Sequence, residues 1–174
     1  MRNRWLKTLI FIAILGLILV GCQKKVDFSP RPLNLDRAVC YVCKMGITDQ
    51  RFAVQAISPQ GDVFWFDDIG CFVEFMNYPE WKEKQMDKGM IWIGDMNTGK
   101  WLDARKAKYV FGVETPMGYG YGAVADTTGV DTVYTFQQVV ERIREGKTMR
   151  EEFLKKMKGK MKHEHPAEHP QEMK

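Results

Sequence analysis

The chain has 174 residues, 45% of them hydrophobic, with 26 basic and 22 acidic side chains, enough to bury one sizeable core with appendages at its ends. Three of the basic residues and none of the acidic ones fall within the first 21 positions, so the rest of the chain is close to neutral. No basic stripe interleaved with stacking aromatics runs through it, which argues against a nucleic-acid-binding module.

Arg2, Arg4 and Lys7 precede an almost wholly apolar run over residues 8–20, the charged start and greasy middle of a secretory signal. That run is too short to span a membrane comfortably. It ends in Leu19-Val20-Gly21-Cys22, which resembles a bacterial lipobox. Cys22 is therefore expected to carry lipid as the first mature residue, which places the chain outside the cytoplasm as a membrane-anchored lipoprotein facing the periplasm or the cell exterior. Residues 26–37, with Pro30 and Pro32 among polar neighbours, read as an extended tether.

Cys40-Tyr41-Val42-Cys43-Lys44-Met45-Gly46 follows. Two thiols and a thioether at this spacing are soft donors suited to Cu(I). A CxxC pair also marks a redox dithiol, half of a zinc site or a disulfide. With Cys22 lipidated, Cys40, Cys43 and Cys71 remain, an odd number in a compartment that favours disulfides. At least one thiol is then free, metal-bound or paired between chains.

Residues 51–57 alternate as a half-buried strand and residues 63–67 as its hairpin partner across Ser58-Pro59-Gln60-Gly61-Asp62. Asp67 or Asp68 caps a helix from Ile69 that Pro79 ends. Cys71 falls in its first turn, where unpaired amides favour a thiolate; it reads equally as a third sulfur ligand or as a small core residue. Residues 81–88 suggest a short helical turn before Gly89, and residues 90–96 a strand. Residues 101–108 suggest a brief helix capped by Asp103, and residues 109–113 another strand.

In Thr115-Pro116-Met117-Gly118-Tyr119-Gly120-Tyr121-Gly122, a methionine on an irregular glycine-rich segment is a second candidate copper ligand, or a gap filler at a sheet edge. Residues 121–125 read as a strand. Thr135 with Gln138 forms a capping box for a helix that Gly146 stops, and Thr148 with Glu151 opens a last short helix through Leu154. From residue 155 the chain is lysine-rich and holds all three histidines, His163, His165 and His169, beside Met157, Met161 and Met173. This reads as a disordered tail able to collect copper loosely. Together these segments predict an α+β fold of two consecutive ββα units, over about residues 51–77 and 90–145, with antiparallel sheet and helices packed on it.

The Cys40-to-Gly46 motif, Phe66-Asp67-Asp68-Ile69-Gly70-Cys71, Trp101-Leu102-Asp103-Ala104 and Pro116-Met117-Gly118, in that order behind a lipobox, resemble the NosL family of lipoproteins that serve nitrous oxide reductase assembly. The likeness covers roughly residues 36–144. It implies a copper chaperone that binds Cu(I) and hands it to the apo form of nitrous oxide reductase, and a fold of two ββα units akin to organomercurial lyase. The family's motif residues fall on Cys40, Cys43, Met45 and Met117, while Cys71 and the His/Met tail belong to the pattern less securely. The expected organisation is a signal over residues 1–21, a tether over 22–37, the folded domain over 38–154 and the tail over 155–174. The competing reading is a thiol–disulfide or organomercurial-lyase-like enzyme using the same cysteines. A CxxC that precedes a hairpin, rather than opening a helix after a βαβ strand, speaks against the oxidoreductase. Three cysteines without a histidine in the domain leave a structural zinc set one ligand short.

Overall fold

The structure is a computed structural model and describes residues 25–164. The expected signal, Cys22, His165 and His169 lie outside the described residues.

Strands β1 (Val54–Ile57) and β2 (Val63–Phe66) form the expected hairpin, with Val54 opposite Phe66 and Ile57 opposite Val63. Helix α1 (Ile69–Phe75) follows, then α2 (Pro79–Glu83) and a 3-10 turn (Met86–Lys88). Pro79 opens α2 at its first turn, where its missing N–H would be unpaired in any case. Strands β3 (Met90–Gly94) and β4 (Trp101–Asp103) complete a four-stranded antiparallel sheet in the order β2-β1-β3-β4. A second sheet, ordered β6-β5-β7, comprises β5 (Lys108–Phe111), β6 (Tyr121–Val124) and β7 (Tyr134–Thr135). Helices α3 (Phe136–Arg144) and α4 (Met149–Glu164) end the described chain.

The molecule is thus α+β, with antiparallel sheets and helices packed against them. The first ββα unit is β1, β2 and α1. The second begins later than expected, because β3 and β4 pair into the first sheet and leave β5, β6, β7 and α3 as the second. Residues 101–103 are strand rather than helix, since Trp101, Leu102 and Asp103 pair with Gly94, Ile93 and Trp92. Asp103 instead accepts the Arg105 amide in the following turn.

The core lies between the sheets and α1, where Val54, Phe66, Phe72, Phe75, Ile91 and Ile93 are fully buried. Helix α1 packs on α3, with the Phe72 and Phe136 rings 6.2 Å apart. Strand β1 is buried along its whole length rather than on one face. Its outer face, where Gln55 lies opposite Trp65 and Trp92, is covered by the segment expected as a tether. The Gln55 amide donates to the Arg31 carbonyl and accepts its N–H at 3.1 and 2.8 Å, and the Trp92 indole donates to the Phe28 carbonyl at 2.8 Å. A buried glutamine is tolerated there because both ends of its amide are satisfied.

The two sheets join at Asp95. A parallel bridge links it to Ala123, the Met96 amide donates to the Ala123 carbonyl at 2.8 Å, and the Asp95 carboxylate accepts the Ala125 amide at 2.8 Å. At the other end of the chain, α4 continues ten residues beyond Leu154, through Glu164.

Candidate metal centre

The segment bearing the first two thiols is a tight loop closed by the Val39–Gly46 bridge. The Cys40 amide donates to the Met45 carbonyl at 2.8 Å, and the Lys44 amide donates to the Cys40 carbonyl at 3.1 Å. Closing so short a loop forces Lys44 into the left-handed region at φ 62, unusual for a residue with a Cβ. Tyr41 holds the loop in place. Its amide donates to Trp65 on β2 at 2.7 Å, its hydroxyl donates to Glu80 of α2 at 2.7 Å, and its ring packs edge-on against Phe64 and Phe75.

Cys71 arrives from the other side, on the first turn of α1. Asp68 caps that helix, its Oδ1 accepting the Gly70 amide at 3.0 Å. Gly70 has to be glycine, because a Cβ there would enter the Tyr119 ring. The result is a cluster in which the Sγ atoms of Cys40, Cys43 and Cys71 all lie within 4.8 Å of one another. All three are free thiols. Cys40 is 0% and Cys71 2% exposed, while Cys43 is half-buried and gives the cluster its solvent edge.

The three sulfurs ionise differently. The Cys40 thiol is lowered to about 5, chiefly because the Cys71 S–H donates to it, with the amides of Asp67 and Cys43 adding to this against the cost of burial. Cys71 is pushed up for the converse reason: it is the donor to Cys40, it is buried, and it faces the Cys40 charge. Burial also raises Cys43, although the Met45 amide points at its sulfur. The helix-terminus expectation for Cys71 is therefore reversed. Proximity to an ionised neighbour outweighs the short helix's free amides, and the thiolate is Cys40.

The expected thioethers are placed differently from each other. Met45 is 54% exposed and contributes its backbone to the loop. Met117 is half-buried against the core, at the third position of a β-turn in which the Gly118 amide donates to the Thr115 carbonyl at 2.9 Å. Pro116 suits the second position through its fixed φ. His163 lies within α4.

Sequence reasoning missed what binds the Met117 turn to α1. The Asp68 Oδ2 accepts the Thr115 hydroxyl at 2.6 Å and the Met117 amide at 3.3 Å. No local pattern signals a contact across so long a stretch of chain. Asp67, read only as a possible cap, is buried beside the cluster with Oδ1 unpartnered. Burial raises its carboxyl to about 6, helped by the charges on Cys40 and Asp68.

Three convergent thiols in a small α+β domain form a cluster of the kind that can hold a soft metal ion. The sequence model of the NosL family matches residues 32–128, more than half of the chain, and the chain belongs to that family. Its fold is similar to the crystal structure of the copper chaperone NosL from Shewanella denitrificans, with a TM-score of 0.52 and 16% identity over 64% of this chain and 96% of that one. No curated protein matches it.

Proposed function

We propose that this protein is an extracytoplasmic, lipid-anchored carrier of Cu(I) that delivers the ion to apo nitrous oxide reductase. The observation that carries the reading is the meeting of three free thiols from two separate elements at one point with a solvent edge. Soft thiolates at low coordination number suit Cu(I). Family membership and the likeness to a copper chaperone support the same choice, and the lipobox at Cys22 supports the anchor.

Copper is the cargo, and the protein's task is to hold it and let go. The two buried sulfurs, Cys40 and Cys71, form the retaining side, and Cys43 sits where an incoming ligand from the acceptor can replace it. Met45 and Met117 would supply neutral donors, weaker than thiolate and able to leave first. The burial of Cys40 counts against the enzyme reading, because its sulfur cannot approach a protein disulfide without opening the loop.

The test is a titration of the reduced, oxygen-free protein with Cu(I) against a competing chelator. The wild type and Met45→Leu bind tightly, whereas Cys40→Ser and Cys71→Ser lose tight binding while keeping native circular dichroism. Unchanged affinity in folded Cys40→Ser would remove the cluster from consideration. Transfer is checked by incubating the loaded carrier with apo reductase and following the reductase's copper absorption.

A further inference from the structure

The sulfur donors proposed above come from two parts of the fold: the thiols from α1 and from the loop before β1 that docks on β2, and Met117 from the turn between β5 and β6. One buried side chain joins them. Asp68 is 1% exposed and uses both carboxylate oxygens. Oδ1 caps α1 three residues before Cys71, and Oδ2 takes the Thr115 hydroxyl and the Met117 amide. Thr115 in turn accepts the Gly120 amide at 3.2 Å, so the whole turn hangs from this one group. Its opposite side is held by α4, through the Arg150 amide to the Gly118 carbonyl at 2.8 Å. Further along, the Gly112 amide donates to the Gly120 carbonyl at 2.9 Å and the Tyr119 ring lies over Gly70, but at Met117 itself the backbone is tied to α1 through Asp68.

We infer that Asp68 is a positioning residue for the metal site, fixing the Met117 thioether relative to the Cys71 helix without touching the ion itself. The inference rests on the reading that Met117 binds Cu(I). A capping carboxylate needs only one oxygen for the helix. The second oxygen, aimed at the methionine turn, is what a helix cap alone does not require. Buried groups that orient ligands in this way commonly change metal affinity about 10- to 100-fold when altered.

Asp68→Asn separates the two jobs. Its amide oxygen can still cap α1 at Gly70, while its NH2 faces the Met117 N–H, donor against donor. Cu(I) affinity is measured for the wild type, Asp68→Asn, Met117→Leu and the double variant, with Thr115→Val as a second way of cutting the tether should Asp68→Asn unfold. Asp68→Asn or Thr115→Val is expected to weaken binding about 10-fold or more, with little further loss when Met117→Leu is already present. X-ray absorption of the copper-loaded variant is expected to show one fewer sulfur neighbour. Equal losses in both backgrounds, or an unchanged affinity where Met117→Leu alone weakens binding, would overturn the inference. If Met117→Leu has no effect, the ligand role of Met117 fails first and leaves Asp68 nothing to position.

Discussion

At the scale of single residues, the three thiols share one proton hierarchy, and under the proposed function it governs how copper is taken up. Cys40 is ionised at neutral pH because Cys71 and two amides donate to it, whereas Cys43 and Cys71 keep their protons. A metal that binds all three thiolates must therefore displace about two protons near neutrality, since metal affinity is coupled to ligand deprotonation. Below the lowered value of about 5 for Cys40, that thiol is protonated as well and about three protons compete. Affinity should accordingly rise about 100-fold per pH unit around neutrality and more steeply in acid. Calorimetry in buffers of different ionisation enthalpy counts the protons directly. Release of three at pH 7 would mean that Cys40 is not the resident thiolate. Cys71→Ala removes the main donor and should move the Cys40 titration, followed by thiolate absorbance, upward. The Cys40 and Cys43 pair could be read from spacing because it lies in one tight loop. The ionisation order could not, because it depends on Cys71 arriving from another element and donating to Cys40.

At the scale of elements, short segments are held by specific ends rather than by length. In α3 the Thr135 hydroxyl accepts the Gln138 amide and the Gln138 side chain accepts the Thr135 amide, a reciprocal cap legible in the sequence. Removing it with Thr135→Ala should cost about 1 kcal/mol, seen as a lower denaturation midpoint, and leave Cu(I) affinity as it was because α3 carries no sulfur ligand. Gly70→Ala is expected to behave differently. Its Cβ would collide with the Tyr119 ring, an overpacking worth about 1–3 kcal/mol, and the ring belongs to the segment that bears Met117, so stability and copper affinity should fall together. Equal copper binding in the two variants would show that the α1–Tyr119 contact is irrelevant to the site. Alternation and turn signals were enough to place β1, β2, β3, β5 and β6. They failed at β4, where Trp101, Leu102 and Asp103 are too few to show a period and their strand character comes from pairing with β3. They also failed to show that both faces of β1 are covered, because the covering segment reads as a tether until Gln55 and Trp92 are seen to hold it.

At the scale of the whole molecule, the proposed site spans both sheets, so the join between them bears on copper as well as on stability. The thiols come from α1 and from the loop docked on β2, and Met117 lies on the turn between β5 and β6 of the second sheet. Asp95 fastens that join, its carboxylate accepting the amides of Asn97, Thr98 and Ala125. Burial alone would raise this carboxyl, and the three amides outweigh it and hold it below the ordinary carboxylate range. Asp95→Ala strands those amides, each lost charge-assisted bond being worth about 1.5–3 kcal/mol, so a marked drop in unfolding free energy is expected. The sign with pH follows from the lowered value. The ionisation-linked part of the Asp95 contribution is complete above the unfolded carboxylate value of about 3.9 and disappears as the pH falls through the lower folded value. The stability gap between wild type and Asp95→Ala, from urea unfolding, should thus be constant from pH 7 to pH 5 and narrow in stronger acid. Copper adds an independent readout. Since the three thiols are held by α1 and the loop docked on β2, away from that join, Asp95→Ala should keep thiolate binding and lose only what Met117 contributes, matching Met117→Leu. A loss as large as that of Cys40→Ser would mean that the join positions the thiols themselves.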